Sequence, residues 1–442
     1  MKTRTIIAAL LICALPACDN LLDLQPIDQL SDDVAIADAR GARAALAGAY
    51  AGLQSTSYFG GTFVFFNDLS ADNAIHTGTF QSHADAARNS LRADNTAVAS
   101  IWNAIYNNIN RTNHLIHRVP KVPDLSSGER DQILGEAHFL RALHYHNLVR
   151  LWDDVPIRTA PIESVEEASQ ITRASVEDVY SQILGDLEEA RALLSQGDDT
   201  RRATLGAAHA LTARVHLYRG DWAAAEASAQ AVEALGYALA DNYATLFPAT
   251  GGNTPEDIFR VLFTAVQWNQ LGWYYISSAF GGRGEIAPQQ SLMDAYEVGD
   301  VRRETTIFGD EERAAHGIKF PSTAGAEHPH VIRFAEVILT KAEALAQQDR
   351  LQEAVAEYNR IRVRAGLAPH TLGQEVTSKA QVLEAIWNER RLELALEGDR
   401  FSDLNRTGRA VEVLGIPPHQ ARYPIPQREI DVAPNLTQNP GY

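Results

Sequence analysis

The sequence predicts a mainly α fold, with helix pairs forming one scaffold, irregular loop insertions and a few short strands. Three observations carry that prediction. Apolar residues recur at helical spacing in several long segments. Alanine-rich helical segments follow one another across tight turns. Two stretches rich in aromatic residues and glycine interrupt the pattern, and no Gly/Ser- or Pro-rich linker divides the chain.

The first residues read as an address. Lys2 and Arg4 form a short basic region. The apolar run from Ile6 to Leu15 is shorter than the roughly 20 residues that a bilayer span needs. Leu15-Pro16-Ala17-Cys18 then has the layout of a lipoprotein signal, although Pro16 is unusual there. Residues 1–17 are expected to be cleaved as a signal peptide and Cys18 to be acylated, for example with palmitate. Residues 18–33 are expected to serve as a tether, with one helical binding domain over 34–442. The other cysteine, Cys13, leaves with the leader, so the mature chain has no thiol pair for a disulfide, redox site or zinc cluster. Several acyl chains on one cysteine hold a protein firmly to a membrane, which a single chain does not.

Charge excludes other classes. The chain carries 39 Lys and Arg against 56 Asp and Glu, a net charge of −17, and losing Lys2 and Arg4 makes it more acidic. Without a basic cluster such a surface is a poor match for nucleic acid or for an anionic membrane face.

The elements follow in order. The segment 58–80 (rich in aromatics, Gly, Asn and Thr) breaks the helical pattern and reads as a loop insertion. Within it, the alternation of Phe63, Phe65 and Phe66 reads as a buried strand. Trp102 and Tyr106, four apart, read as core packing on a helix. Leu140, Leu143, Leu148 and Leu151 line a further helix, and Ser175-Val176-Glu177-Asp178 fits a capping box. Ala207, Leu211, Val215 and Tyr218 form one helical face, closed by Gly220. Trp222, Ala225, Ala229 and Val232 form the next. A helix, a tight turn and a second alanine-rich helix make a tetratricopeptide-like hairpin. Phe334, Val337, Ile338, Ala342 and Leu345 begin a second such hairpin, turning near Gln348-Asp349-Arg350. Leu351, Ala354, Val355, Tyr358 and Ile361 continue it to Gly366. Ile258 to Phe263 reads as a strand running into a second loop insertion over 264–287. A last helix is expected from about Ser378 to Leu396.

Five separated stretches then resemble the SusD/RagB family. They are Cys18-Asp19-Asn20-Leu21-Leu22-Asp23; Glu136 to Trp152 with Asp154-Val155-Pro156-Ile157; Pro288 to Arg302 with Tyr296 and Asp300; Glu389 to Leu404; and Tyr423-Pro424-Ile425-Pro426 with Asn435 to Tyr442. The resemblance covers essentially the whole chain in the right order. It implies an outer-membrane lipoprotein, lipid-anchored and facing the cell surface. Such proteins cap a SusC-like TonB-dependent barrel and help capture oligosaccharides, or in some members peptides, before import. Ligand contacts in the family lie in its variable insertions, so none carries over residue by residue.

The candidate ligand residues therefore rest on chemistry. Sugar rings stack their apolar C–H faces on aromatic side chains, and their hydroxyls need amide and carboxylate partners. Trp268, Asn269, Trp273, Tyr274, Tyr275 and Arg283 offer this in the second insertion, with Gly272 taken as a sign of an exposed loop. Asp72 and Asn73 offer it in the first. Glu389, Glu393 and Glu397 share one helical face, but Arg390, Arg391 and Arg400 interleave, so the stripe reads as a structural ion network rather than a catalytic pair. His138, His144 and His146 share a helix at spacings unsuited to one ion. His114 and His117 lack a third ligand. No metal site and no cofactor are expected. The resulting expectation is a binder, not an enzyme, that delivers an oligomeric nutrient to a transporter. A peptide-binding adaptor on the helical scaffold is the main alternative, and a hydrolase using the acidic stripe a weaker one.

Overall fold

The computed structural model describes residues 35–162, 164, 167, 169–249, 252–309 and 315–442. The leader, Cys18 and the tether lie outside the described residues.

Helices account for most of the framework. Helix α1 (Ala39–Leu53) turns Ala42, Leu46, Ala49 and Leu53 inward. After α2 (Thr62–Leu69) and α3 (Gln81–Ala87) come two long helices, α4 (Thr96–Arg118) and α5 (Ser127–Trp152). Helix α1 packs on α4, α4 on α5, and α5 on α6 (Val176–Leu193). Helix α7 (Leu205–Arg219) pairs with α8 (Trp222–Glu233). A short α9 (Leu271–Tyr275) sits within the second insertion. Helix α10 (Phe334–Gln347) then pairs with α11 (Leu351–Arg364), and α10 also packs on α8 and on α12 (Lys379–Glu393). Helix α13 (Arg400–Arg406) follows.

Local chemistry sets these boundaries. The side chains of Asn95, Ser126, Ser175, Thr204 and Ser378 each accept a hydrogen bond from a first-turn N–H of the helix they precede. Both hairpins form as the sequence predicts. Gly220, at φ 74°, closes α7 in the left-handed conformation that glycine adopts most easily. Asp349 turns the second hairpin at φ 61°, a conformation a short polar side chain tolerates.

Among the described residues, three two-stranded antiparallel ladders form, two of them between distant segments. Strand β1 (Ala74–His76) pairs with β3 (Ile286–Pro288), β2 (Asp257–Arg260) with β6 (His330–Arg333), and β4 (Ile307–Phe308) with β5 (His316–Gly317). One apolar core runs from Ile36 to Leu436. Trp102 lies in it edge-on to Trp152, with ring centres 5.3 Å apart, and Trp152 edge-on to Tyr423 at 5.6 Å. The C-terminal stretch is fastened to this core, since the Asn439 amide donates to the carbonyls of Trp152 and Tyr423.

The first insertion differs from expectation. Phe63, Phe65 and Phe66 are buried, but on helix α2 and not on a strand. Protein covers α2 on nearly every side, from Phe63 to Leu69. A short apolar run buried all round has no solvent face, so its period does not distinguish helix from strand.

The acidic stripe is a buried ion network. Glu389 meets Arg302 and Arg362; Glu393 meets Arg302, Arg333 and Arg364; Glu397 meets Arg333 and Lys319. The cations come from other elements rather than from the interleaved arginines. Arg390 instead binds Glu336, Asp399 and Asp403, while Arg391 and Arg400 bind Asp72. Beyond the end of α12, Leu396 stands at φ 64°, where a branched aliphatic residue is strained. Its N–H and that of Gly398 donate to the buried carboxyl of Asp68.

Candidate functional site

The second insertion is held by its backbone. The Asn269 amide donates to the carbonyls of Gly325 and Glu327, both at 3.0 Å, and its oxygen accepts from Leu271 N–H. Gln270 N–H donates to Gly60 carbonyl at 2.7 Å, tying the insertion to the turn before α2. Gly272 is buried; a Cβ there would stand 2.2 Å from the Ser322 carbonyl oxygen. It therefore marks a close backbone approach rather than an exposed loop, correcting the expectation from sequence. On the far side, Arg283 N–H donates to the Trp273 carbonyl at 2.6 Å.

These ties bring four of the predicted residues together. Trp268, 37% exposed, meets Trp273 edge-on with ring centres 6.5 Å apart. Trp273 and Tyr274 are half-buried on α9. The Arg283 guanidinium lies 4.6 Å from the ring centre of Phe80, which is 40% exposed. Phe80 and Tyr274 both contact the His83 ring, at 5.1 and 5.7 Å. The result is a chain of contacts from Trp268 through Trp273 and Arg283 to Phe80, His83 and Tyr274, with Trp268 and Phe80 open to solvent. Close by in sequence, Phe280 is 60% exposed and meets Phe308 and His316 at 5.2 and 5.1 Å. Such a surface offers ring faces for apolar C–H surface and a guanidinium for oxygen acceptors.

The other four candidates are used inside the protein. Asn269 is buried and its amide is spent on the insertion's own backbone. Tyr275 is buried, its ring parallel to Phe320 at 6.2 Å, and burial together with Asp68 lifts its hydroxyl well above the usual tyrosine range. Asn73 is buried, donates to Asp68 and accepts from Arg391. Burial disfavours the charged form of Asp72, but Arg400 and Arg391 outweigh it and hold its carboxyl below the ordinary value. Both lie beyond the Ala74–Pro288 end of the β1–β3 ladder, whereas the platform lies beyond its His76–Ile286 end. The sequence could not show this, because each residue's partner lies about 320 positions away.

Phe80, His76, His83 and Glu285 were not singled out from the sequence. Burial, with the charges of His76 and Arg283, pushes the His83 imidazole down to about 4. Burial also holds His76 below its ordinary value against the pull of Glu285. Both rings are therefore neutral at pH 7. Two of the histidines first noted have structural partners: His138 pairs with Asp186 at 2.7 Å, and His144 with the Tyr58 hydroxyl at 3.1 Å.

Comparison with known proteins places this surface in context. A family model described as starch-binding and associating with the outer membrane matches residues 22–217, and the SusD family model matches residues 315–420. The chain belongs to the SusD/RagB family. A SusD-like protein of Formosa agariphila is 26% identical over 97% of this chain and 96% of its own length. A second from the same organism is 26% identical over the full length of both. A SusD superfamily structure from Bacteroides vulgatus covers 92% of this chain and 100% of its own at a TM-score of 0.84 and 22% identity, showing the same fold. A structure described as a laminarin-binding SusD-like protein covers the same shares at 26% identity and a TM-score of 0.79. SusD/RagB proteins form an outer-membrane-associated, nutrient-binding family, and glycan binding holds at that level. Among the described residues, no helix is long and apolar enough to cross a membrane.

Proposed function

We propose that this SusD/RagB member captures an oligosaccharide on the platform formed by Trp268, Trp273, Tyr274, Arg283 and Phe80. It then passes the ligand uncleaved to a TonB-dependent outer-membrane barrel. The observation that carries the reading is the edge-on tryptophan pair, Trp268 exposed and Trp273 half-buried, continuous with an arginine–phenylalanine pair. Sugar rings match such a surface because one face of each ring is apolar and its rim is polar. The likeness to a laminarin-binding relative supports a glycan before a peptide. Acylation of Cys18 supplies the anchor in this reading, and surface exposure puts the platform in the path of incoming polymer. The buried and fully paired state of Glu389 and Glu393 supports binding without hydrolysis, since neither carboxylate faces a substrate cleft.

Titration calorimetry with a panel of glucan oligosaccharides, laminarin fragments included, and a panel of peptides tests this. Binding of at least one glycan, recovered intact, is expected. Affinity is expected to fall about tenfold or more in the Trp268→Ala, Trp273→Ala double variant. Peptide binding alone, or turnover of the bound glycan, would refute it.

A further inference from the structure

We propose that His76, His83 and Glu285 form a binding site for a divalent transition metal of the zinc class. The three come from separate elements: the end of β1, the first turn of α3 and the residue before β3. One ligand-capable atom from each lies within 4.8 Å of the others. His83 and Glu285 are 7% and 5% exposed, hence more than nine-tenths buried.

Three orphaned atoms carry the argument. Nε2 of His76, Nδ1 of His83 and Oε2 of Glu285 are all buried without a hydrogen-bond partner in the protein. Leaving one such atom unsatisfied costs about 1–3 kcal/mol, and buried polar groups rarely go unpaired. A neutral imidazole presents a lone pair at one nitrogen while the other carries the proton, so each ring can offer the nitrogen in question to an ion. Each residue has one ligand-capable atom within 4.8 Å of those of the other two, so a single partner that accepts lone pairs from all three side chains fits the cluster. A water molecule has two protons and serves two; a cation serves all three.

The donor set selects the ion. Two imidazoles and one carboxylate suit zinc and its first-row neighbours, whereas calcium and magnesium prefer all-oxygen shells. With metal–ligand bonds of about 2.0–2.2 Å, two ligand atoms of a tetrahedral ion stand about 3.3–3.6 Å apart. Binding therefore draws the cluster, whose ligand atoms lie within 4.8 Å of one another, inward by about 1 Å or a little more. The surroundings suit that task. Arg283 donates to Oε1 of Glu285 and leaves Oε2 to the ion, the outer-shell partnership that orients metal ligands. A Cβ at Gly78 would stand 2.2 Å from Cγ of Glu285, so glycine is what admits that side chain. Phe65, Phe66, Phe80 and Tyr274 wall the His83 ring. His76, half-buried, is the most exposed of the three. A bound ion would fasten α3 to the β1–β3 ladder beneath Phe80. The inference does not depend on whether the platform binds a glycan, and its test uses metal alone.

Untagged mature protein, stripped with a chelator, is titrated with Zn²⁺ against a chromophoric competitor and with Co²⁺ while visible absorption is recorded. One equivalent bound is expected, with the Co²⁺ bands of nitrogen and oxygen ligation. Binding is expected to weaken about a hundredfold in His76→Gln and in Glu285→Gln. Zn²⁺ should raise the melting temperature of the wild type and not of the variants. His76→Gln, at a half-buried strand end, keeps the fold, checked by an unchanged melting temperature in chelator. Absence of stoichiometric binding by the wild type, or binding that survives the His76→Gln, Glu285→Gln double substitution, would overturn the assignment.

Discussion

Asp68 accepts a hydrogen bond from the backbone N–H of Leu396, 328 positions further along the chain, and so holds a strained turn with a buried carboxyl. Burial pushes that carboxyl up to about 7, against Asn73, the two backbone donors and the charge of Lys319. The folded chain therefore holds this proton more tightly than the unfolded chain, whose value is near 3.8. The contribution is most favourable below about pH 4 and is lost as pH rises to about 7, by at most roughly 4 kcal/mol. Urea unfolding of the wild type and of Asp68→Asn at pH 5 and pH 8 should show the wild type losing ground relative to the variant at the higher pH. Parallel behaviour would contradict this.

The glutamate network has the opposite sign. Burial disfavours the charged form of Glu393, but Arg364, Arg333 and Arg302 outweigh it and hold its carboxyl well below the usual glutamate value of 4.5. That stabilisation is present above pH 4.5 and is lost as pH falls through the lower folded value. Replacing Glu393 with Gln leaves buried arginines short of a partner and is expected to lower stability by about 3–5 kcal/mol. Denaturant midpoints at pH 7 measure the loss. The variant should also be less sensitive to acid than the wild type.

Asn269 and Trp268 are neighbours with separable roles. Asn269→Ala leaves two carbonyls without their donor, so stability should fall by about 1–3 kcal/mol, with glycan affinity following it. Trp268→Ala, at a partly exposed position, should cost less stability, about 0.5–1 kcal/mol for the lost ring pair, while weakening binding. Melting curves beside calorimetry separate the two. Equal destabilisation by both would count against a platform role for Trp268.

Cys18→Ala should release the protein from the membrane. Fractionation of cells expressing each form, with metabolic labelling by a fatty acid analogue, reads this directly. Membrane retention and label in the variant would remove the anchor from the proposal.

The helical frame was legible because its signals are local. Capping side chains at Ser175 and Ser378, the glycine turn at Gly220 and the alanine faces of both hairpins each act within a few residues. The site was only half legible. Trp268, Trp273, Tyr274 and Arg283 converge because they share one insertion. Asn269 and Tyr275 share it too, yet face inward, and nothing in the composition of the loop distinguishes the two sets. Asp72 and Asn73 are bound by arginines too remote in sequence for those contacts to be foreseen. His76 and Glu285 carry no spacing signal, because the β1–β3 ladder brings them together from distant parts of the chain.

The stitching of the tryptophan insertion has a kinetic consequence. Its carbonyls and amides are satisfied within the protein by Gly60, Gly325, Glu327 and Arg283. A passing polymer therefore meets rings already set in position, and little loop entropy is surrendered on contact. Encounter should proceed at the pace of a rigid surface, and selectivity among glycans should reside in how long each one stays.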